Sequence, residues 1–154
     1  MASDDRLRHA IDFTLAEVRK AGGDPFGLSL PLQTVCLVHA AQGLIDNGGL
    51  QYFFESQWPG SPPYLVFSDA YRRIGAEDAG ACLDRAVAMF PFPKAHLHME
   101  QRLAFIEAQS EQSCSEFAEM SDKLCGDESV WEKLDQYVAG QPSVFGLPKG
   151  RESP

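Results

Sequence analysis

No stretch of this sequence alternates Val or Ile with polar residues, so nothing in it reads as a β-strand. No apolar run is long enough to cross a bilayer, because Gly, Pro or charge interrupts each one. The opening MASDDRLRHAIDF is polar and charged and lacks the continuous apolar core of a secretory signal, which makes a cytoplasmic location the expectation. Cysteine is sparse. Cys36, Cys82, Cys114 and Cys125 contain no C-x-x-C pair, so reduced, mostly buried thiols are expected rather than a disulfide framework.

Catalytic signatures are missing too. There is no G-x-S-x-G elbow, no P-loop, no G-x-G-x-x-G and no H-E-x-x-H, and no Cys/His group has zinc spacing. The E-x-x-H pairs of helical di-iron sites are absent. His9 reads as solvated and His39 as a partly buried core histidine. His96 and His98 stand two apart in H-x-H-x-E; on a helix such residues diverge by about 160° and cannot easily share one ion. No metal, no cofactor and no enzymatic activity are therefore expected. The reading that competes is an enzyme with an unrecognised pocket near Asp46, Asn47 and Glu55.

Positive charge is also in short supply. Thirteen Lys and Arg stand against 22 Asp and Glu, a net charge of −9 over 154 residues. The imbalance is local. Residues 1–99 carry 11 acidic and 8 basic side chains, net −3, whereas residues 100–135 carry 10 and 3, net −7. Such a surface disfavours nucleic acid and anionic lipid as direct partners and favours basic proteins.

What is present is helical periodicity. It predicts an all-α fold: a compact single domain of about eight short helices over 1–140, followed by a Pro/Gly-rich tail over 141–154 that is partly ordered. Ser3 can cap a helix over 4–21 with Leu7, Ile11, Leu15 and Val18 as its apolar stripe. Ser29 caps a second helix that ends at Asn47-Gly48-Gly49, and a short helix carrying Leu50, Phe53 and Phe54 follows. Further helices are expected over 64–74, 77–90, 95–109, 114–125 and 127–139. In the tail, Val144, Phe145 and Leu147 are candidates to dock, and the last few residues are expected to be loose.

The last three helices share a charge geometry. At 100° per residue, Glu100, Glu107 and Glu111 fall within about 40°, with Met99, Leu103 and Ile106 on the helix's apolar arc. Glu128, Glu132 and Asp135 fall within about 60°, and Glu116, Glu119 and Asp122 spread over about 120°. Each helix thus offers carboxylates about 5–10 Å apart along its axis, a scale comparable to phosphates along one DNA strand. A solvated amphipathic face would also turn charge outward. The excess of acid over base separates the two readings, since a merely solvated face mixes signs.

The segment Ile45-Asp46-Asn47-Gly48-Gly49-Leu50-Gln51-Tyr52-Phe53-Phe54, with Ala70-Tyr71-Arg72-Arg73-Ile74-Gly75-Ala76 and the stretch from Ala86 to Phe90, resembles the bacterial DNA-mimic protein family over roughly residues 30–140. The resemblance implies an all-α acidic dimer that occupies the DNA-binding face of a transcriptional regulator or a histone-like protein. The signature residues Asp46, Asn47, Gly48, Gly49, Phe53, Phe54 and Gly75 have a structural reading: glycines at left-handed turns and phenylalanines anchored in the core. The partner expected is therefore a basic DNA-binding protein, met by Glu100, Glu107, Glu111, Glu116, Glu119, Asp122, Glu128, Glu132 and Asp135. An immunity-type protein neutralising a basic toxin is the alternative binder. Trp58 and Tyr64 are candidates either for a dimer interface or for the core.

Overall fold

Asp4 and Asp5 in the first turn and Arg19 and Lys20 in the last complement the dipole of helix α1, Ser3–Lys20. In the computed structural model of the chain, residues 3–112 and 115–148 are described, and no β-strand occurs among them. Six more helices follow: α2 (Leu30–Glu55), α3 (Leu65–Arg73), α4 (Glu77–Ala88), α5 (Met99–Ser110), α6 (Glu116–Leu124) and α7 (Glu128–Ala139). Short 3-10 turns at Pro25–Gly27, Ala95–Leu97 and Pro142–Phe145 complete the described chain.

Helix α2 is the axis of the molecule. It packs against α1, α3, α5, α6 and α7, and its buried residues, among them Val35, Val38, Ala41, Ile45, Leu50 and Phe53, point to every side. A helix surrounded in this way has no polar face to spare. Around its C-terminal half, Phe53, Phe54, Tyr64, Phe67 and Phe90 form an aromatic cluster with ring centroids 5.0–5.5 Å apart. Tyr64 is buried there, and Trp58 packs on Phe53 and Phe67 at 5.6 and 4.7 Å. Of the two roles open to these residues, both take the core.

The described helices number seven rather than eight because the two expected on either side of Gly48 and Gly49 run into one another across a kink, with non-helical backbone at both glycines where the sequence places the boundary. Gly49 sits at φ 71°, and helix resumes at once on its far side. A second difference lies before α5. Lys94 is left-handed (φ 53°) and His98 leaves the helical region, so 95–98 forms a separate turn and the helix begins at Met99. Two expected caps also act otherwise. Ser3 lies inside α1 and its hydroxyl donates to Asp135 at 2.6 Å, while Ser29 stands at the N-cap of α2 without a side-chain capping bond. Ser115 and Asp127 do cap, accepting from Ala118 N and Ser129 N.

The stripe expected on α1 sits shallower than its period suggested. Ala10 and Thr14 are its buried residues, with Leu7 and Ile11 only partly covered. The tail docks through Phe145 and Leu147, both buried, and Gly146 lies close against Phe13. The last few residues, expected to be loose, lie outside the described residues, as does Cys114. Cys36 and Cys82 are half-buried free thiols and Cys125 is exposed, so the expectation of mostly buried cysteines holds only in part.

Candidate functional site

The acidic residues of α5 to α7 divide into two kinds. Glu100, Glu107, Glu111, Glu119, Asp122, Glu128 and Glu132 are exposed, and among the described residues none of them enters an ion pair. Glu116 is also exposed and meets Arg85 at 3.1 Å, an open pair that costs little to break. Asp135 departs from the expected row. It is buried, receives Arg6 through both oxygens at 2.9 and 2.6 Å and accepts from Ser3. Burial would push its carboxyl up, but the bonds from Arg6 and Ser3 and the Arg6 charge hold it below the ordinary carboxylate range. Asp135 therefore fastens α7 to α1 and is not presented to solvent.

The rows do not all lie on one helix pair. Helices α5 and α6 pack on each other and on α2, whereas α7 packs chiefly against α1 and α2. Helix α5 is also rotated from the expected arc. Its buried residues are Arg102 and Ile106, while Met99 and Leu103 are more than one-third exposed. Arg102 wins the inward position because it has acceptors waiting: Nε donates to Phe54 O at 3.1 Å and a terminal nitrogen to Ala95 O at 2.8 Å. Phe54 closes the C-terminal turn of α2, where carbonyls are unpaired and the helix dipole is negative.

The signature segment is a buckle. Asp46 Oδ1 accepts from Gln42 Nε2 and from Gly126 N, both at 2.8 Å, and Oδ2 accepts from Trp131 Nε1 at 2.9 Å. Gln42 in turn donates to Leu124 O and accepts from the Tyr71 hydroxyl, each at 2.8 Å. One carboxylate and one carboxamide thus join α2, α3, the end of α6 and α7. Burial pushes the Tyr71 phenol far up, so it remains a donor. Beside this network, Ser121 Oγ of α6 accepts from Leu50 N at 2.9 Å and caps the helix where it restarts after the kink. A Cβ on Gly49 would overlap that hydroxyl, so Gly49 is required twice, by its backbone angle and by the close approach. Gly75, at φ 87°, ends α3 in a Schellman arrangement, with Ala76 N bonded to Tyr71 O at 2.9 Å.

Asp46, Asn47 and Glu55 do not converge on a cleft. Asn47 donates to Gly43 O, Glu55 accepts from Gln51, and the bonds of Asp46 are all spent on the fold. The nearby polar depression, between the kink of α2, the end of α5 and α6, is lined by Gln51, Gln109, Gln112, Ser121 and Asp122 and by none of those three. Among the described residues no group of His, Cys, Asp or Glu is arranged to hold a metal ion. His96 and His98 turn to different aromatic partners, Tyr64 and Phe92, each at 6.2 Å. No described helix is long and apolar enough to cross a membrane.

Arg102, Gln42 and Ser121 were not singled out in the sequence. For Arg102 a signal existed: it stands one turn before Ile106, on the stripe that faces inward. For Ser121 the partner is 71 residues away, and of the partners of Gln42 only Asp46, four residues on, is local, while Tyr71 and Leu124 are 29 and 82 residues away.

The fold and its surface define an all-α acidic protein with seven exposed carboxylates at α5 to α7 that enter no ion pair among the described residues, and others on α1 and α4, namely Asp4, Asp5, Asp12, Glu77 and Asp78. The family model for DMP19-like protein matches residues 27–141. The chain belongs to this family, the DNA-mimic family that the Ile45 to Phe54 segment resembles. No curated protein and no solved structure matches the chain.

Proposed function

We propose that this protein is a non-enzymatic binder that occupies the basic DNA-binding surface of a transcriptional regulator or histone-like protein and keeps DNA from it. The observation that carries the reading is the set of seven exposed carboxylates on α5, α6 and α7 that have no ion-pair partner among the described residues. A protein that evolves only for solubility mixes signs on such faces. Here the cationic partners are left to be supplied from outside. Membership in the DMP19-like family adds independent support.

The mechanism is competition for the same side chains. Lys and Arg that would neutralise phosphates neutralise glutamates instead, and the complex inherits the salt sensitivity of a DNA complex. The fold contributes rigidity. Helices buckled together by Asp46 and Gln42 hold carboxylates in place, so little ordering entropy is lost on binding.

The test is displacement of labelled duplex DNA from a histone-like protein or a purified regulator. The wild-type chain is expected to release the DNA, and a variant with Glu107→Lys, Glu111→Lys, Glu128→Lys and Glu132→Lys is expected to lose that ability while retaining its helical circular dichroism. Undiminished displacement by the folded variant overturns the reading.

A further inference from the structure

The depression between the α2 kink, the C-terminal end of α5 and α6 is lined by polar and apolar side chains from all three helices. Its volume is about 250 Å³, and a cavity of about 150 Å³ already takes benzene, so a planar guanidinium fits. Ile106 and Phe117, both buried, are its apolar members. Its polar members are the carboxamides of Gln51, Gln109 and Gln112, which offer acceptors and donors alike, the Ser110 hydroxyl, and the Asp122 carboxylate as the one charged group. Among the described residues no Lys or Arg lines it.

These acceptors are only partly used. Gln51 donates a nitrogen hydrogen to Glu55, leaving its oxygen, the Ser110 hydroxyl donates to Glu107 O, and Gln109, Gln112 and Asp122 have no side-chain hydrogen bond to another described residue. Helix α5 ends at Ser110, so its last carbonyls add the negative end of a helix dipole to the Asp122 charge. The floor comes from the kink. Glycine at 48 and 49 lets α2 turn beneath Ser121, whose hydroxyl is engaged with Leu50 N.

We infer that this pocket is a receptor for an arginine side chain, the anchor point of the basic partner between α2, α5 and α6. The inference rests on the reading of the protein as a binder of basic DNA-binding proteins and adds where the partner is gripped. Arginine suits the pocket better than lysine. Acceptors come from three directions, α2, α5 and α6, and a guanidinium offers five donors in a rigid plane, whereas an ammonium is a strongly hydrated point charge.

The experiment is a titration of isotopically labelled full-length protein with N-acetylarginine amide, followed by nuclear magnetic resonance. Saturable shifts are expected at the side-chain amides of Gln51, Gln109 and Gln112 and the backbone amides of Ser121 and Asp122. A double variant, Gln109→Met with Asp122→Asn, should bind at least tenfold more weakly while the rest of its spectrum superposes on the wild type. Unsaturable shifts spread over every exposed glutamate would overturn the pocket, and so would equal binding of N-acetyllysine amide at the same signals. Displacement of DNA from a histone-like protein keeps the two readings apart. If the double variant displaces DNA as well as the wild type does, the pocket is not the anchor and the acidic-face reading stands. If the wild type fails to displace DNA but saturates with arginine at the pocket, the partner reading falls and the cation site remains.

Discussion

Arg102 is a buried cation held without a carboxylate. Its acceptors are two backbone carbonyls, and truncating it strands them inside the aromatic core. Arg102→Met should therefore cost roughly 2–4 kcal/mol, since each buried unsatisfied group costs about 1–3 kcal/mol. A lower urea midpoint with an unchanged slope is the expected readout. Arg102→Lys should recover only part of the loss, because an ammonium does not reproduce the planar fork. Asp135 makes a pH prediction. Its carboxyl is held below its ordinary value in the folded protein, so it stabilises fully above the unfolded value near 3.8 and loses that contribution as pH falls through the lower folded value. Acid unfolding of Arg6→Gln should start from lower neutral-pH stability and show a smaller further drop below about pH 4. His39 titrates in a different window. Burial lowers its basicity, with Asp12 partly opposing, so its contribution is complete above the unfolded value of 6.5 and declines as pH falls toward the lower folded value. Of these residues only His39 was legible in advance, as a partly buried core histidine. Asp135 followed the right helical arc but met Arg6, 129 residues away, which no helical wheel contains.

The elements themselves were legible where local chemistry sets them. Pro31 in the first turn of α2, Gly75 after α3 and the Asp/Glu-rich starts of α1 and α4 mark boundaries by their own dihedral or dipole preferences. Boundaries that depend on packing were less so. The sequence places an end at Gly48 and Gly49, and the backbone does leave the helical region there; what the sequence does not show is that Ser121 caps the restart so closely that the two segments join as α2. Gly49→Ala should thus be more damaging than an ordinary left-handed substitution, which costs about 1–2 kcal/mol, because its Cβ also displaces the Ser121 hydroxyl. Ser121→Ala, which only orphans Leu50 N, should cost about 1–3 kcal/mol. The two changes combined should cost less than their sum, a coupling that a double-mutant cycle in urea measures. Helix α5 shows the same limit. Its hydrophobic period pointed Met99 and Leu103 inward, and the carbonyls of Phe54 and Ala95 drew in Arg102 instead.

For the whole molecule the central quantity is charge and its placement. If the acidic helices meet a basic partner, the logarithm of the association constant should fall linearly with the logarithm of salt concentration, as it does for DNA. Charge reversal at Glu107, Glu111, Glu128 and Glu132 should flatten that slope as well as weaken binding, which titrations at several salt concentrations resolve. Replacing Glu116 should matter less, since Arg85 already meets it.

Composition and period by themselves determined the all-helical class, the acid excess after residue 100 and the turn glycines, because each depends on a residue and its near neighbours along the chain. Which carboxylates are open, which are clasped, and which arginine is inside were decided only by folding. Apart from the Arg102–Ala95 bond, those outcomes turn on partners 31 to 132 residues apart meeting across helix packing, and burial converts such a meeting from a weak solvent-screened contact into a choice between a satisfied and a stranded polar group.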